Sequence, residues 1–149
     1  MVQAGCELLM EISKCSDSAR KDVTDSGGSK AILAGMKAHL SSDAAQVAGT
    51  KALYFLCESE GLVQSLCDEG SLSAVIASMQ THPGCLEVNI EGCRLIQRFC
   101  KICNDKKQLS ESGVIPLVTE ARGKHKMDYI IQTYGADILA TLQSEIATN

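Results

Sequence analysis

The amino-acid sequence predicts an all-α fold in which groups of helices repeat along the chain and stack on one another as an α-solenoid. Three observations predict it: a fixed repeat length, a helical spacing of apolar residues between the fixed positions, and the absence of sustained β-type alternation. Three independent series of residues share a spacing of 43 positions: Gly27, Gly70 and Gly113; Gly49, Gly92 and Gly135; His39, His82 and His125. Repeats of this length are typical of chains whose units bury their apolar sides only against neighbouring units.

Each repeat is predicted to contain a short first helix, a second helix and a longer third helix. The first helix precedes a glycine of the first series, with Val23, Leu66 or Leu109 four residues before that glycine. The second helix follows the glycine, and in the middle copy Leu72 and Val75 lie three residues apart on one side of it. Because a sharp corner between two helices favours a residue without a Cβ, we expect a positive φ at this glycine.

The third helix is predicted around the second glycine series. Its apolar residues occupy equivalent positions in four copies: Leu8, Leu9 and Ile12; Ala52, Leu53 and Leu56; Leu95, Ile96 and Phe99; Ile138, Leu139 and Leu142. A glycine inside a helix costs about 1 kcal/mol relative to alanine. Its recurrence therefore predicts that a neighbouring helix approaches closely at this position.

The register divides the chain into a single domain over residues 1–149. It begins with a leading third helix over residues 3–14, followed by repeats at about 15–59, 60–102 and 103–146. Solenoid ends need polar caps, yet Leu8, Leu9 and Ile12 form an apolar helix at the start. Two interpretations stay open: the chain is a fragment of a longer array, or it covers this edge by self-association.

Two segments carry a resemblance to a known family. Residues 111–118, Glu-Ser-Gly-Val-Ile-Pro-Leu-Val, resemble the start of the second helix of armadillo repeats, and residues 52–57, Ala-Leu-Tyr-Phe-Leu-Cys, resemble the core of the third helix. The resemblance covers essentially the whole chain. It implies a right-handed superhelix of three-helix repeats whose third helices line the concave face.

On that face we predict a binding surface for a peptide or helix of a partner protein. Tyr54 would lie centrally, since an aromatic side chain beside a few charges is the usual content of a binding hot spot. The plainer alternative is that these are ordinary solvent-facing helix residues. The candidate partner-binding residues are Met10, Lys14, Thr50, Tyr54, Glu58, Arg94, Gln97, Arg98 and Lys101.

A nuclear-import adaptor is the less favoured form of this function. The resemblance implies that such adaptors grip an extended basic peptide with Trp and Asn four residues apart. The chain has no tryptophan, and the matching pairs are Met10 with Lys14, Tyr54 with Glu58, and Gln97 with Lys101. A segment of a larger scaffold that packs or self-associates is the second hypothesis.

No metal or cofactor is predicted. One repeat separates each pair of histidines, too far for ligands about 2 Å from one ion, so we expect them to cap the carbonyls at the ends of the second helices. Cys100 and Cys103 form the one C-x-x-C pair, without a second pair or a nearby histidine. We interpret the cysteines as small core residues.

Catalysis and nucleic-acid binding have no support in the sequence. It contains no nucleophile elbow, phosphate-binding loop, zinc-protease motif or dinucleotide fingerprint. A net charge of -4 does not favour binding to a phosphate backbone. There is no long apolar run for a membrane span, and eight cysteines without a secretory signal indicate an intracellular, cytoplasmic protein, the nucleus not being excluded.

Overall fold

The computed structural model describes residues 2–14 and 16–147, and every regular element in them is a helix. The predicted all-α class is therefore confirmed. Met1, Cys15, Thr148 and Asn149 lie outside the described residues; they include the predicted first residue of the first repeat and one of the eight cysteines.

The described helices comprise a leading helix, α1, and three groups of three. Group 1 comprises α2 to α4, group 2 comprises α5 to α7, and group 3 comprises α8 to α10. The helices are α1 (Val2–Ser13), α2 (Asp17–Asp25), α3 (Gly28–Ala38), α4 (Asp43–Leu56), α5 (Glu60–Asp68), α6 (Ser71–Thr81), α7 (Leu86–Ile102), α8 (Lys106–Glu111), α9 (Val114–Lys124) and α10 (Tyr129–Ala147).

The glycines of the first series form the corners between the first and second helices of each group. Gly27, Gly70 and Gly113 have φ values of 82°, 98° and 91° and immediately precede α3, α6 and α9. They are the residues with positive φ in the described part of the chain. The predicted left-handed corners are confirmed.

The glycines of the second series allow the second and third helices of each group to pack closely. A Cβ built on Gly49 would lie 2.7 Å from Sδ of Met36, and one built on Gly135 would lie 2.6 Å from Cδ of Arg122. Gly92 relates to Met79 in the same way. The predicted close approach is confirmed.

Packing follows chain order. The third helices α1, α4, α7 and α10 contact one another in succession, as do the second helices α3, α6 and α9. Each first helix packs on the third helix of its own group, α2 on α4, α5 on α7 and α8 on α10. The core therefore runs lengthwise between the two rows, with Leu53, Leu95 and Phe99 fully buried in α4 and α7.

A fourth series at the same spacing, of side-chain amides, lies at the end of each second helix. The side-chain amide of Gln46 donates to the carbonyls of Met36 and His39, each at 2.9 Å. Gln132 donates in the same way to the carbonyls of Arg122 and His125 at the end of α9, whereas Asn89 donates to that of His82 at the end of α6 and to that of Cys85, just before α7. The carbonyls of His39, His82 and His125 also accept backbone N–H groups from the residues just before the third helices, so each amide adds a second bond at the end of a second helix.

The histidines do not cap those carbonyls with their rings. His39, His82 and His125 follow the last residues of α3, α6 and α9, as predicted. However, Nε2 of His82 lies 2.7 Å from the carbonyl oxygen of Leu40, and Nε2 of His125 lies 3.1 Å from that of Pro83. The second and third histidines thus tie each group to the loop of the group before it.

Candidate partner-binding surface

A groove of about 440 Å³ runs along the row of third helices, and we call it the third-helix groove. It lies at the junction of α1 and α4, with the first turn of α7 at one side. Val47 and Ala48 are buried in its floor, and Met10 is half-buried. Its lining residues are Gln3, Glu7, Met10, Glu11, Ala44, Val47, Ala48, Lys51 and Glu87.

The groove follows from helical spacing and side-chain size. Glu7, Met10 and Glu11 lie on one side of α1 because residues three and four apart are neighbours on a helix. On the facing side of α4, Ala44 and Ala48 carry only methyl groups, which leaves the space between the two helices open. The result is an apolar floor with charged edges.

Three carboxylates and one ammonium group line this groove. Lys51 Nζ lies 2.8 Å from Oε1 of Glu87, and Glu7 accepts a hydrogen bond from the amide of Gln3 at 3.0 Å. Glu11 pairs with Lys14 at 2.6 Å. The edges are therefore acidic on balance and favour a positively charged ligand.

Glu91 lies next to this groove on α7 and is largely buried. Burial raises the pKa of its carboxyl group above the usual range, while Arg94 and Lys51 act in the opposite direction. Arg94 reaches Oε1 of Glu91 at 3.2 Å and is itself about one-third exposed. Arg94 thus offers a partner only part of its guanidinium surface.

Two candidates from the sequence meet at the carboxyl end of α1. The ammonium of Lys14 lies 5.0 Å from the centre of the Phe55 ring, and the Phe55 and Tyr54 rings meet edge to face at 5.8 Å. Tyr54 is half-buried. Phe55, which sequence reasoning did not single out, links the two.

A second pair of candidates meets at the carboxyl end of α4. Arg98 Nε donates to the carbonyl of Cys57 at 3.0 Å, and its Nη2 donates to that of Glu58 at 3.3 Å. Arg20 forms an ion pair with the Glu58 side chain at 3.3 Å. Arg98 therefore caps the carbonyl end of α4, and the Glu58 side chain is paired with α2. Lys101, another candidate, is exposed on the last turn of α7.

Two predicted contact residues are not available to a partner. Thr50 is 2% exposed, so almost none of its side chain can contact a partner. Gln97 is 9% exposed, and its Nε2 donates to Asp137 at 2.6 Å across to α10. Gln97 therefore joins two neighbouring third helices, α7 and α10.

Sequence reasoning missed most of the groove because it followed the ligand-gripping positions of nuclear-import adaptors. Of the nine lining residues it named Met10 only. The signal was present in α1, where two acids flank a methionine at helical spacing, and in the alanines of α4.

The described residues hold no group of three or more His, Cys, Asp or Glu side chains arranged to bind a metal ion. The seven cysteines described are all free thiols. Cys93 and Cys100 are buried, and burial raises their pKa values to about 12 and about 11. No helix in the described ranges is long and apolar enough to cross a lipid bilayer.

Comparison with family models, with curated proteins and with solved structures gives no match to this chain.

Proposed function

We propose that this chain is a non-enzymatic protein-interaction scaffold, a right-handed α-solenoid of armadillo-type repeats that binds a peptide or helix of a partner protein. The observation that carries the proposal is the third-helix groove, an apolar floor between acidic edges on a surface formed by three helices. Such a row presents an extended ligand surface on a rigid frame. Seven free thiols among the described residues support an intracellular, cytoplasmic setting.

The chemistry of the groove defines the partner. Met10, Val47 and Ala48 suit an apolar anchor side chain, which contributes most when it is fully desolvated. Glu7 and Glu87 suit Lys or Arg side chains beside that anchor. We therefore propose an amphipathic segment with basic residues next to an apolar one, and neither a nucleic acid nor a membrane.

Fluorescence anisotropy with two labelled peptides tests this proposal. The first is an amphipathic helix of Leu and Lys, and the second has Glu in place of every Lys. We expect the Lys peptide to bind and the Glu peptide to bind at least tenfold more weakly. The affinity of the Lys peptide should fall as salt is added, because the charged edges are screened.

Paired variants locate the binding. Glu7→Gln with Glu87→Gln removes two groove carboxylates and should weaken the Lys peptide several-fold. Glu60→Gln with Glu120→Gln removes the same charge from surfaces outside the groove and should leave binding unchanged. Equal losses in the two double variants would show that only net charge matters, and the groove assignment would be wrong.

A second candidate function is self-association through α1. Leu8 is 63% exposed and Ile12 is 40% exposed, while Cys6 on the same helix is buried. Two copies that cover these side chains would bury apolar surface that now faces water. Light scattering of the full chain and of Leu8→Lys distinguishes the cases: a dimer that dissociates in the variant supports self-association, and a monomer in both rejects it.

A further inference from the structure

The two most exposed large apolar side chains of the described residues lie at the turn between α9 and α10, and we call residues 124–129 the α9–α10 corner. Met127 is 97% exposed and Tyr129 is 80% exposed. Leu86, at the start of α7, is 44% exposed and lines the same depression as Met127 and Lys126. Exposed apolar side chains that lie together mark a contact surface.

This apolar surface belongs to group 3 and is not a feature of the repeat. At the position of Met127, the turns of groups 1 and 2 carry Ser41 and Gly84. The fold therefore does not require a large apolar side chain at this position. Packing within the chain does not account for Met127 either, because its side chain faces water.

The corner is held in place by hydrogen bonds on both sides of Met127. Nε2 of His125 lies 3.1 Å from the carbonyl oxygen of Pro83, and the carbonyl of His125 accepts from the backbone N–H of Asp128 at 3.1 Å. Oδ1 of Asp128 accepts from the backbone N–H of Ile131 at 2.8 Å, so this carboxylate is directed to the start of α10. A side chain presented on a fixed backbone loses little further freedom when it binds.

The charges of the corner and of the third-helix groove are complementary. Lys126 is exposed and forms no ion pair with any described residue, whereas Lys124 pairs with Glu120 at 2.9 Å. At the edge of the groove, Glu7 is exposed and accepts a hydrogen bond from the amide of Gln3, but no described residue forms an ion pair with it. Lys126 and Glu7 are therefore both available to a group of opposite charge, and each lies next to apolar surface.

We propose that the third-helix groove of one copy binds the α9–α10 corner of a second copy of this chain, with Met127 on the apolar floor and Lys126 beside Glu7. The corner has the chemistry proposed above for the partner of this groove, basic residues next to an apolar one. The inference therefore rests on the proposed function and names the partner. Because the two surfaces differ, the contact is heterologous, and each copy contributes one groove and one corner.

Light scattering of the full chain over a range of concentrations tests this inference. We expect the mean mass to rise above that of one copy as concentration increases, and to fall when the Lys peptide is added, since the peptide competes for the groove. Met127→Ser copies the residue of group 1 and should weaken self-association roughly tenfold or more, the effect of losing a desolvated anchor. Lys126→Glu should weaken it as well. Lys30→Glu makes the same charge change at an exposed position of α3 and should not.

Mixing two defective variants tests which surfaces meet. Met127→Ser keeps the groove, and should still bind the Lys peptide, whereas Glu7→Lys with Glu87→Lys keeps the corner. At a concentration where the native chain associates, we expect each variant alone to be a monomer and the mixture to contain a complex of the two. Lys126→Glu with Glu7→Lys in one chain exchanges the two charges and should restore self-association.

A native chain that binds the Lys peptide but stays a monomer would overturn this inference and leave the proposed function standing, whereas a chain that does neither would overturn both. Self-association that Met127→Ser keeps and Leu8→Lys loses would assign the contact to α1 instead. A mixture of the defective variants that stays monomeric would show that the corner and the groove do not meet. Binding to phosphatidylserine vesicles that Met127→Ser loses, without self-association of the native chain, would make the corner a membrane contact and also overturn the inference.

Discussion

Gly70 turns the chain between α5 and α6 with a φ of 98°, a conformation that costs an L-residue with a Cβ roughly 1–2 kcal/mol. A Cβ at this position would meet no atom within 4 Å, so the cost of Gly70→Ala is conformational and not steric. We expect the variant to lose about 1–2 kcal/mol of unfolding free energy in urea titrations.

Gly61 provides the control for this prediction. It lies in α5, has space for a Cβ and does not have a positive φ. Gly61→Ala should therefore be neutral or stabilise the chain by up to about 1 kcal/mol. If both variants lost the same unfolding free energy, the positive φ of Gly70 would not be the reason that glycine is needed there.

Glu91 should make stability depend on pH in an unusual direction for a carboxylate. Burial raises the pKa of this group in the folded state, so its contribution is most favourable below the unfolded pKa and is lost as pH rises through the folded pKa. Glu91→Gln removes the buried charge. We expect the variant to have the higher Tm at pH 7 and a Tm equal to the native value once the native carboxyl is protonated.

Calorimetry across that pH range provides the measurement. The matched variant Glu87→Gln removes an exposed carboxylate from the same helix, which is paired with Lys51. The Tm of this variant should not be higher than the native Tm at pH 7. A lower Tm for Glu91→Gln at neutral pH would show that the ion pair with Arg94 outweighs the burial of the charge.

For single residues, the sequence predicts backbone conformation better than it predicts side-chain burial. Glycine is the residue type that most readily adopts a positive φ, so the regular spacing of the glycines was sufficient to predict the corners. The burial of Thr50 and Gln97 depends on which faces of α4 and α7 meet their neighbours. Spacing within one helix does not contain that information, and both residues, predicted to contact a partner, are buried.

Between helices, the bonds from His82 and His125 to the preceding loop join elements 42 residues apart. His82→Ala removes the donor to the part-buried carbonyl of Leu40. We expect a loss of about 1 kcal/mol in unfolding free energy, together with faster amide exchange in the loop between α3 and α4.

His39 is the matched control for that experiment. It occupies the same position at the end of α3, and its side chain is exposed. His39→Ala should leave stability unchanged within a few tenths of a kcal/mol. If both variants lost a similar unfolding free energy, the histidines would stabilise the ends of their own second helices and not the contact between groups.

The helices themselves were predictable, whereas the amide series that closes them was not. The apolar spacing and the corner glycines locate all three second helices. Gln46, Asn89 and Gln132 share the repeat spacing but differ in residue type, so they do not form an identical series. Asn and Gln both carry a side-chain amide, and this shared group gives the three residues the same role. The role becomes visible only from the hydrogen bonds in the structure.

For the whole chain, the packing order implies that stability is assembled from neighbouring contacts. Helices in a row contact the helix before and the helix after, and each first helix contacts its own third helix. A perturbation at one end therefore reaches the other end only through the groups between them. A domain with a single closed core would instead lose protection everywhere at once.

Ile138→Ala tests this by creating a cavity in α10, where the native side chain is fully buried. We expect a loss of about 2–5 kcal/mol, with amide protection falling in α8, α9 and α10 and largely kept in α1, α2 and α3. Ile32→Ala, in α3, should give the reverse pattern, since Ile32 is equally buried. Hydrogen exchange with mass spectrometry resolves the two ends. If both variants lowered protection uniformly along the chain, the groups would behave as one cooperative unit.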